Sequence, residues 1–109
     1  MIIFYRTKGL ERKCKEFEKA KASYGEANAK KLTQRLQELQ AAQHLKDLPP
    51  AARCHPLKGK RAGQYAVHLQ QPFRLILEPV LSSRSKAGDR DVDLAQVTKV
   101  RIIEVEDYH

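Results

Sequence analysis

The chain has no tryptophan, and aromatic residues fill only 6% of its 109 positions, so its core must be aliphatic. It contains no apolar run approaching the roughly 20 residues that span a bilayer, which excludes a helical membrane protein. The opening Met1-Ile2-Ile3-Phe4-Tyr5 is too short for a signal-peptide core and runs directly into charge. A cytoplasmic protein with no membrane partner is therefore expected. Two cysteines, Cys14 and Cys54, cannot form a disulfide framework and are expected to be free structural thiols. Cys54 precedes His55, but adjacent residues of an extended chain point to opposite faces, and two further zinc ligands are missing. Neither a metal site nor a cofactor is expected. There is no Walker loop, GxGxxG, HExxH or GxSxG, which argues against nucleotide hydrolases, dinucleotide enzymes, zincins and serine hydrolases.

Positive charge, in contrast, is abundant. Lys and Arg number 21 against 13 Asp and Glu, a net charge of +8. Residues 1–61 carry +9 and residues 62–109 carry −1. This asymmetry suggests a polyanionic partner, either nucleic acid or an acidic protein. The length suits a single domain, taken here as 1–109.

The pattern along the chain predicts an α+β fold. Ile2 to Tyr5 reads as a short strand. Leu10, Cys14, Phe17 and Tyr24 form one stripe of an amphipathic helix, broken at Ser23-Tyr24-Gly25. Ala29, Leu32, Leu36 and Leu39 mark a second helix over about 26–43. Asp47-Leu48-Pro49-Pro50 then ends helical structure. The period next changes to two. Tyr65, Val67 and Leu69 alternate with Ala66, His68 and Gln70. Phe73, Leu75 and Leu77 alternate with Arg74, Ile76 and Glu78, and Gln71-Pro72 supplies the turn. Residues 82–93 read as a loop and 97–105 as a final strand. The expected architecture is an N-terminal strand and a helical hairpin packed on a twisted antiparallel sheet.

The residues able to do chemistry gather in the sheet half: Cys54-His55-Pro56-Leu57-Lys58-Gly59-Lys60-Arg61, Arg74, and Asp107-Tyr108-His109. Histidine, lysine and arginine on one sheet face would suit phosphodiester chemistry. Imidazole titrates near neutrality and can act as acid or base. Lysine and arginine can hold a phosphate and stabilise the charge developing on its oxygens.

His55-Pro56-Leu57-Lys58-Gly59, Gly63-Gln64-Tyr65, Phe73-Arg74-Leu75 and the terminal Glu106-Asp107-Tyr108-His109 together resemble the HigB branch of the RelE/ParE superfamily of bacterial toxins. The likeness covers most of residues 53–77 and the last strand, and Lys8-Gly9-Leu10 also fits. It implies a RelE-like fold. It implies a ribosome-dependent endonuclease that cleaves mRNA in the A site of the 70S ribosome, encoded beside a helix-turn-helix antitoxin. Carried over by position, His55, Asp107 and His109 fall where the family cleaves, and Lys58 and Arg74 match basic positions that contact the RNA phosphate. All five are expected to be catalytic. Lys60 and Arg61 continue the basic segment and are expected to bind RNA. Tyr108 is expected either to stack on a base or to pack the end of the last strand. Tyr65 stands where the family often has tryptophan. His68 and Gln70 replace an Arg and an Asn, so His68 is expected to be solvated. Residues 82–96 look like an insertion that contacts the antitoxin or stays disordered. Arg84, Lys86 and Arg90 within it are offset by Asp89, Asp91 and Asp93. Two other readings belong to other classes: a toxin that inhibits a protein such as DNA gyrase, and a degenerate toxin that only binds its antitoxin.

Overall fold

The computed structural model describes residues 1–81 and 92–108. Its regular elements are β1 (Ile2–Tyr5), α1 (Lys8–Lys15), α2 (Phe17–Tyr24), α3 (Glu26–Ala41), β2 (His55–Pro56), β3 (Tyr65–His68), β4 (Phe73–Pro79) and β5 (Lys99–Asp107). Three helices pack on one side of a five-stranded sheet of order β1-β5-β4-β3-β2. This is the α+β, helices-on-sheet arrangement that the periodicities predict.

The details depart from the sequence pattern in several places. First, the sheet is mixed. β2, β3, β4 and β5 are antiparallel neighbours, but β1 pairs with β5 in parallel, Ile3 opposite Val100 and Tyr5 opposite Ile102. β1 and β5 lie at opposite ends of the sequence, so no local pattern announces their direction. Second, the first helical stretch is two helices. Thr7 caps α1 by accepting a hydrogen bond from the Leu10 amide at 3.0 Å, and α1 stops at Glu16, which is extended. The helical phase restarts there. Cys14 stays buried, but Phe17 is 36% exposed and Ala20 takes the inward position. On α3 the expected stripe of Ala29, Leu32, Leu36 and Leu39 is buried. Gly25, at φ 87°, turns the chain between α2 and α3, a conformation few other residues adopt.

The helix-facing side of the sheet carries Val67, Leu75, Leu77, Val100 and Ile102, all within the core cluster. Two polar side chains are buried between the layers. Asn28 Oδ1 accepts from the Gln70 amide at 2.9 Å. Arg35, 2% exposed, donates to the carbonyls of His68 and Ala51 and pairs with Glu38. Neither belongs to the apolar stripe of α3.

Among the described residues no helix lies over the other side of the sheet, and a bulge determines which residues reach it. Ile76 lies opposite Glu104 while Leu77 lies opposite Ile102, so Ile103 is an extra residue on β5. Strict alternation would put Glu104 and Glu106 on the same side as Val100 and Ile102. The bulge reverses the phase. Val105 then faces the core, and Glu104 and Glu106 turn to the open face.

Of the expected 82–96 insertion, 82–91 lies outside the described residues. At its end Asp93 accepts from the Ala95 amide at 3.0 Å and starts a short 3-10 turn, Leu94–Gln96. Among the described residues no helix is long and apolar enough to cross a membrane, and no group of three or more His, Cys, Asp or Glu could hold a metal ion.

Candidate active site

The open face is built from two adjacent cross-strand rows. One contains His55, Ala66, Ile76 and Glu104. The next contains His68, Arg74 and Glu106. The register therefore brings residues from four strands onto one surface.

His55 occupies the edge strand β2 and is exposed. Arg53, two residues before it, is in the left-handed region at φ 47°, and its carbonyl lies 2.7 Å from His55 Nδ1. A carbonyl can only accept, so Nδ1 carries the proton and the lone pair of the neutral ring sits on Nε2. The neighbouring thiol is unsuited to attack. Burial pushes Cys54 up to about 11, so it stays protonated near neutrality.

Lys58 and Lys60 are exposed in the connection from β2 to β3. Gly59 between them, at φ 65°, begins a short 3-10 turn, Gly59–Arg61. There is open space where its side chain would be, so the backbone angle is what favours glycine here. This turn folds back over the open face, because Arg61 reaches two carboxylates on β5. Its Nη2 donates to Glu104 and, at 2.9 Å, to Glu106 Oε1. Its Nη1 donates to Gln64 Oε1 at 2.9 Å. Ala66 and Ile76 are buried although no helix among the described residues covers them, which fits a side chain lying across that row.

Arg74 meets the same carboxylate from the other side, its Nε donating to Glu106 Oε2 at 2.7 Å. Its guanidinium carbon lies over the Tyr108 ring, 4.6 Å from the centroid. Tyr108 is itself held, because its amide donates to the Pro72 carbonyl at 3.1 Å. Burial tends to raise the Glu106 carboxyl, but hydrogen bonds from Arg74 and Arg61 and their charges outweigh it and hold the group below its ordinary range. His68, opposite Arg74, is pushed down by burial and then by the charges of Arg53, Arg35 and Lys31, so it is half-buried rather than freely solvated.

The structure thus brings Arg61, Arg74 and Tyr108 together, with His55 in the adjoining row and Lys58 and Lys60 on the rim. Asp107 ends β5 opposite Phe73, out of phase with Arg74 and Glu106. His109 lies outside the described residues. Glu104 and Glu106 are the partners that the sequence reading missed. The only signal for them was a charge alternation that strict pleating would have buried.

Comparison with known proteins comes from two directions. The HigB-like toxin family, described as the RelE-like toxin of the type II toxin–antitoxin system HigB, matches residues 4–86. His55, Lys58, Lys60, Arg61 and Arg74 fall inside that match, whereas the tail from Asp107 lies beyond it. The solved structure of a YoeB/ParE toxin from Agrobacterium tumefaciens aligns over 100% of both chains with a TM-score of 0.58. At 12% identity, that likeness shows a shared fold. No curated protein sequence matches the chain.

Proposed function

This chain belongs to the HigB-like toxin family of type II toxin–antitoxin systems, and from that membership we propose that it is a ribosome-dependent mRNA endonuclease. Type II membership carries an antitoxin partner with it. On this reading the antitoxin is a small helix-turn-helix protein, and the toxin acts in the cytoplasm on mRNA in the ribosomal A site. The observation that carries the reading is the open sheet face. It carries His55 in one cross-strand row and Arg74, against the Tyr108 ring, in the next.

The reaction is attack of a ribose 2′-OH on the adjacent phosphorus. His55 Nε2 takes the 2′-OH proton, the 2′-oxygen bonds to phosphorus, and the P–O5′ bond breaks. The leaving 5′-oxygen takes a proton from the tail, with His109 as the acid and Asp107 orienting or sharing that transfer. The products are a cyclic phosphate and a 5′-OH end. Arg74 and Lys58 stabilise the charge growing on the phosphoryl oxygens, and Lys60 draws the RNA strand in. Tyr108 offers its outer ring face to a base. No step calls for a metal. Positioning and charge stabilisation carry most of the rate.

The test is purified protein mixed with 70S ribosomes programmed with a defined mRNA, cleavage being mapped by primer extension. Cleavage within the A-site codon, absent without ribosomes and lost in His55→Ala, is the expected result. Intact mRNA together with inhibited gyrase supercoiling would overturn the reading in favour of a protein-directed toxin. Intact mRNA with tight antitoxin binding and no toxicity would leave only the degenerate form.

A further inference from the structure

We propose that Glu106 is a positioning residue that joins the two halves of this site. The inference rests on the nuclease reading above and adds to it a residue outside the expected catalytic set.

Its geometry is that of a bridge. One carboxylate oxygen, Oε2, receives Arg74 Nε at 2.7 Å, and the other, Oε1, receives Arg61 Nη2 at 2.9 Å and Nε at 3.2 Å. Glu104 adds a second carboxylate to Arg61. Side chains from the β2–β3 connection, β4 and β5 therefore converge on one group that is only 22% exposed. Arg61 ends the turn that follows His55 and Lys58. Arg74 places its guanidinium carbon over the Tyr108 ring. Fixing both arginines sets the spacing between the segment holding the proposed base and the segment leading to the proposed acid. Isolated surface ion pairs hold little, but a carboxylate shared by two arginines, partly buried and met by three N–H donors, constrains both side chains at once.

This assigns Arg61 a different task from a strand-binding contact. Its guanidinium is engaged by Glu104, Glu106 and Gln64, so its work is done within the protein. Arg74 gives its Nε to Glu106, which fixes where its guanidinium sits beside Tyr108.

The experiment is single-turnover cleavage of A-site mRNA by Glu106→Gln, Arg61→Gln and the double variant, across a range of ribosome concentrations. Thermal unfolding serves as the folding control. Glu106→Gln keeps the shape but removes the charge shared by the arginines. The saturating cleavage rate is expected to fall by about 10- to 100-fold, the scale set by small misplacements of reacting groups. The half-saturating ribosome concentration should hold or fall, because the variant is more positive. Arg61→Gln should likewise lose rate rather than binding, and it tests the bridge even if Glu106→Gln does not fold. The double variant should be no slower than the slower single, since both changes break one bridge. Faster cleavage by Glu106→Gln would make Glu106 an occupant of the phosphate seat and overturn the proposal. So would an Arg61→Gln variant that needs more ribosome but cleaves at the full rate. Wild-type protein that cleaves while Glu106→Gln matches it sinks this inference alone. Wild-type protein that never cleaves sinks the nuclease reading and this inference with it.

Discussion

Arg35 donates its Nε to the backbone carbonyl of His68 across 2.9 Å, and through that bond α3 holds the end of β3. The same guanidinium reaches the Ala51 carbonyl at 3.0 Å, four residues before His55. One buried cation therefore fixes both the last residue of an inner strand and the approach to the proposed base. Replacing it with methionine would keep much of the volume but remove a buried donor from two carbonyls and the cation from Glu38. Arg35→Met is expected to destabilise the fold by about 3 kcal/mol. A urea titration reads this as a lower midpoint at unchanged slope. A midpoint within error of wild type would mean that water replaces the arginine at no cost.

The acid limb of stability should report on Glu106. Its ordinary carboxyl value is 4.5, and in the folded protein it is lower, because the two arginines outweigh the opposing effect of burial. A carboxyl depressed by folding adds stability above its unfolded value and loses it as the pH falls through the folded one. Wild-type stability should therefore drop between about pH 5 and the lower folded value. Glu106→Gln should start lower at pH 7 and fall less steeply. Urea midpoints measured from pH 7 to pH 3 check this. Two parallel curves would show that the bridge adds nothing to folding.

Both thiols should be inert in the native state. Burial pushes Cys14 up to about 12 and Cys54 up to about 11. The thiolate is the reactive form, so at pH 8 iodoacetamide should label neither until the chain is unfolded in urea. Mass spectrometry of the native protein settles it. Rapid labelling of Cys54 alone would mean that the segment before His55 opens readily.

How far the sequence could be read depends on whether the information was local. The alternation from Tyr65 to Leu77 named the core-facing residues of β3 and β4 because pleating is a local rule. The stripe on α3 was equally plain. Phe17 was assigned to the first helical stripe because no glycine or proline marks the break at Glu16. Arg35 and Asn28 fit a polar face by spacing, and only the strand packed across from them reveals their burial. The bulge at Ile103 has the widest consequence. It exchanges the faces of everything after it, bringing Glu104, Glu106 and Tyr108 into phase with Arg74 and putting Asp107 out of phase. Nothing in Val100-Arg101-Ile102-Ile103-Glu104 announces it. The basic segment at 58–61 was legible as charge, but not that Arg61 is turned inward onto carboxylates from the far end of the chain.

The tail offers the sharpest separation of stability from chemistry. Tyr108 is tied twice, through its amide to Pro72 and through its ring to Arg74. Tyr108→Ala keeps the backbone bond and loses the ring contact. At 45% exposure that contact is worth about 0.5–1 kcal/mol. If the ring also stacks on a base, cleavage should fall further, by about 1–3 kcal/mol of binding. Tyr108→Phe keeps the ring and should retain both stability and cleavage. A Phe variant as impaired as the Ala variant would shift the role from stacking to the hydroxyl. His109→Ala should leave the unfolding free energy within about 0.5 kcal/mol of wild type, read by urea titration. Its single-turnover rate should fall by about 10² to 10⁴, the usual worth of a positioned proton donor. An His109→Ala protein that cleaves at full rate would remove this residue from the mechanism and move the search for the acid to Asp107.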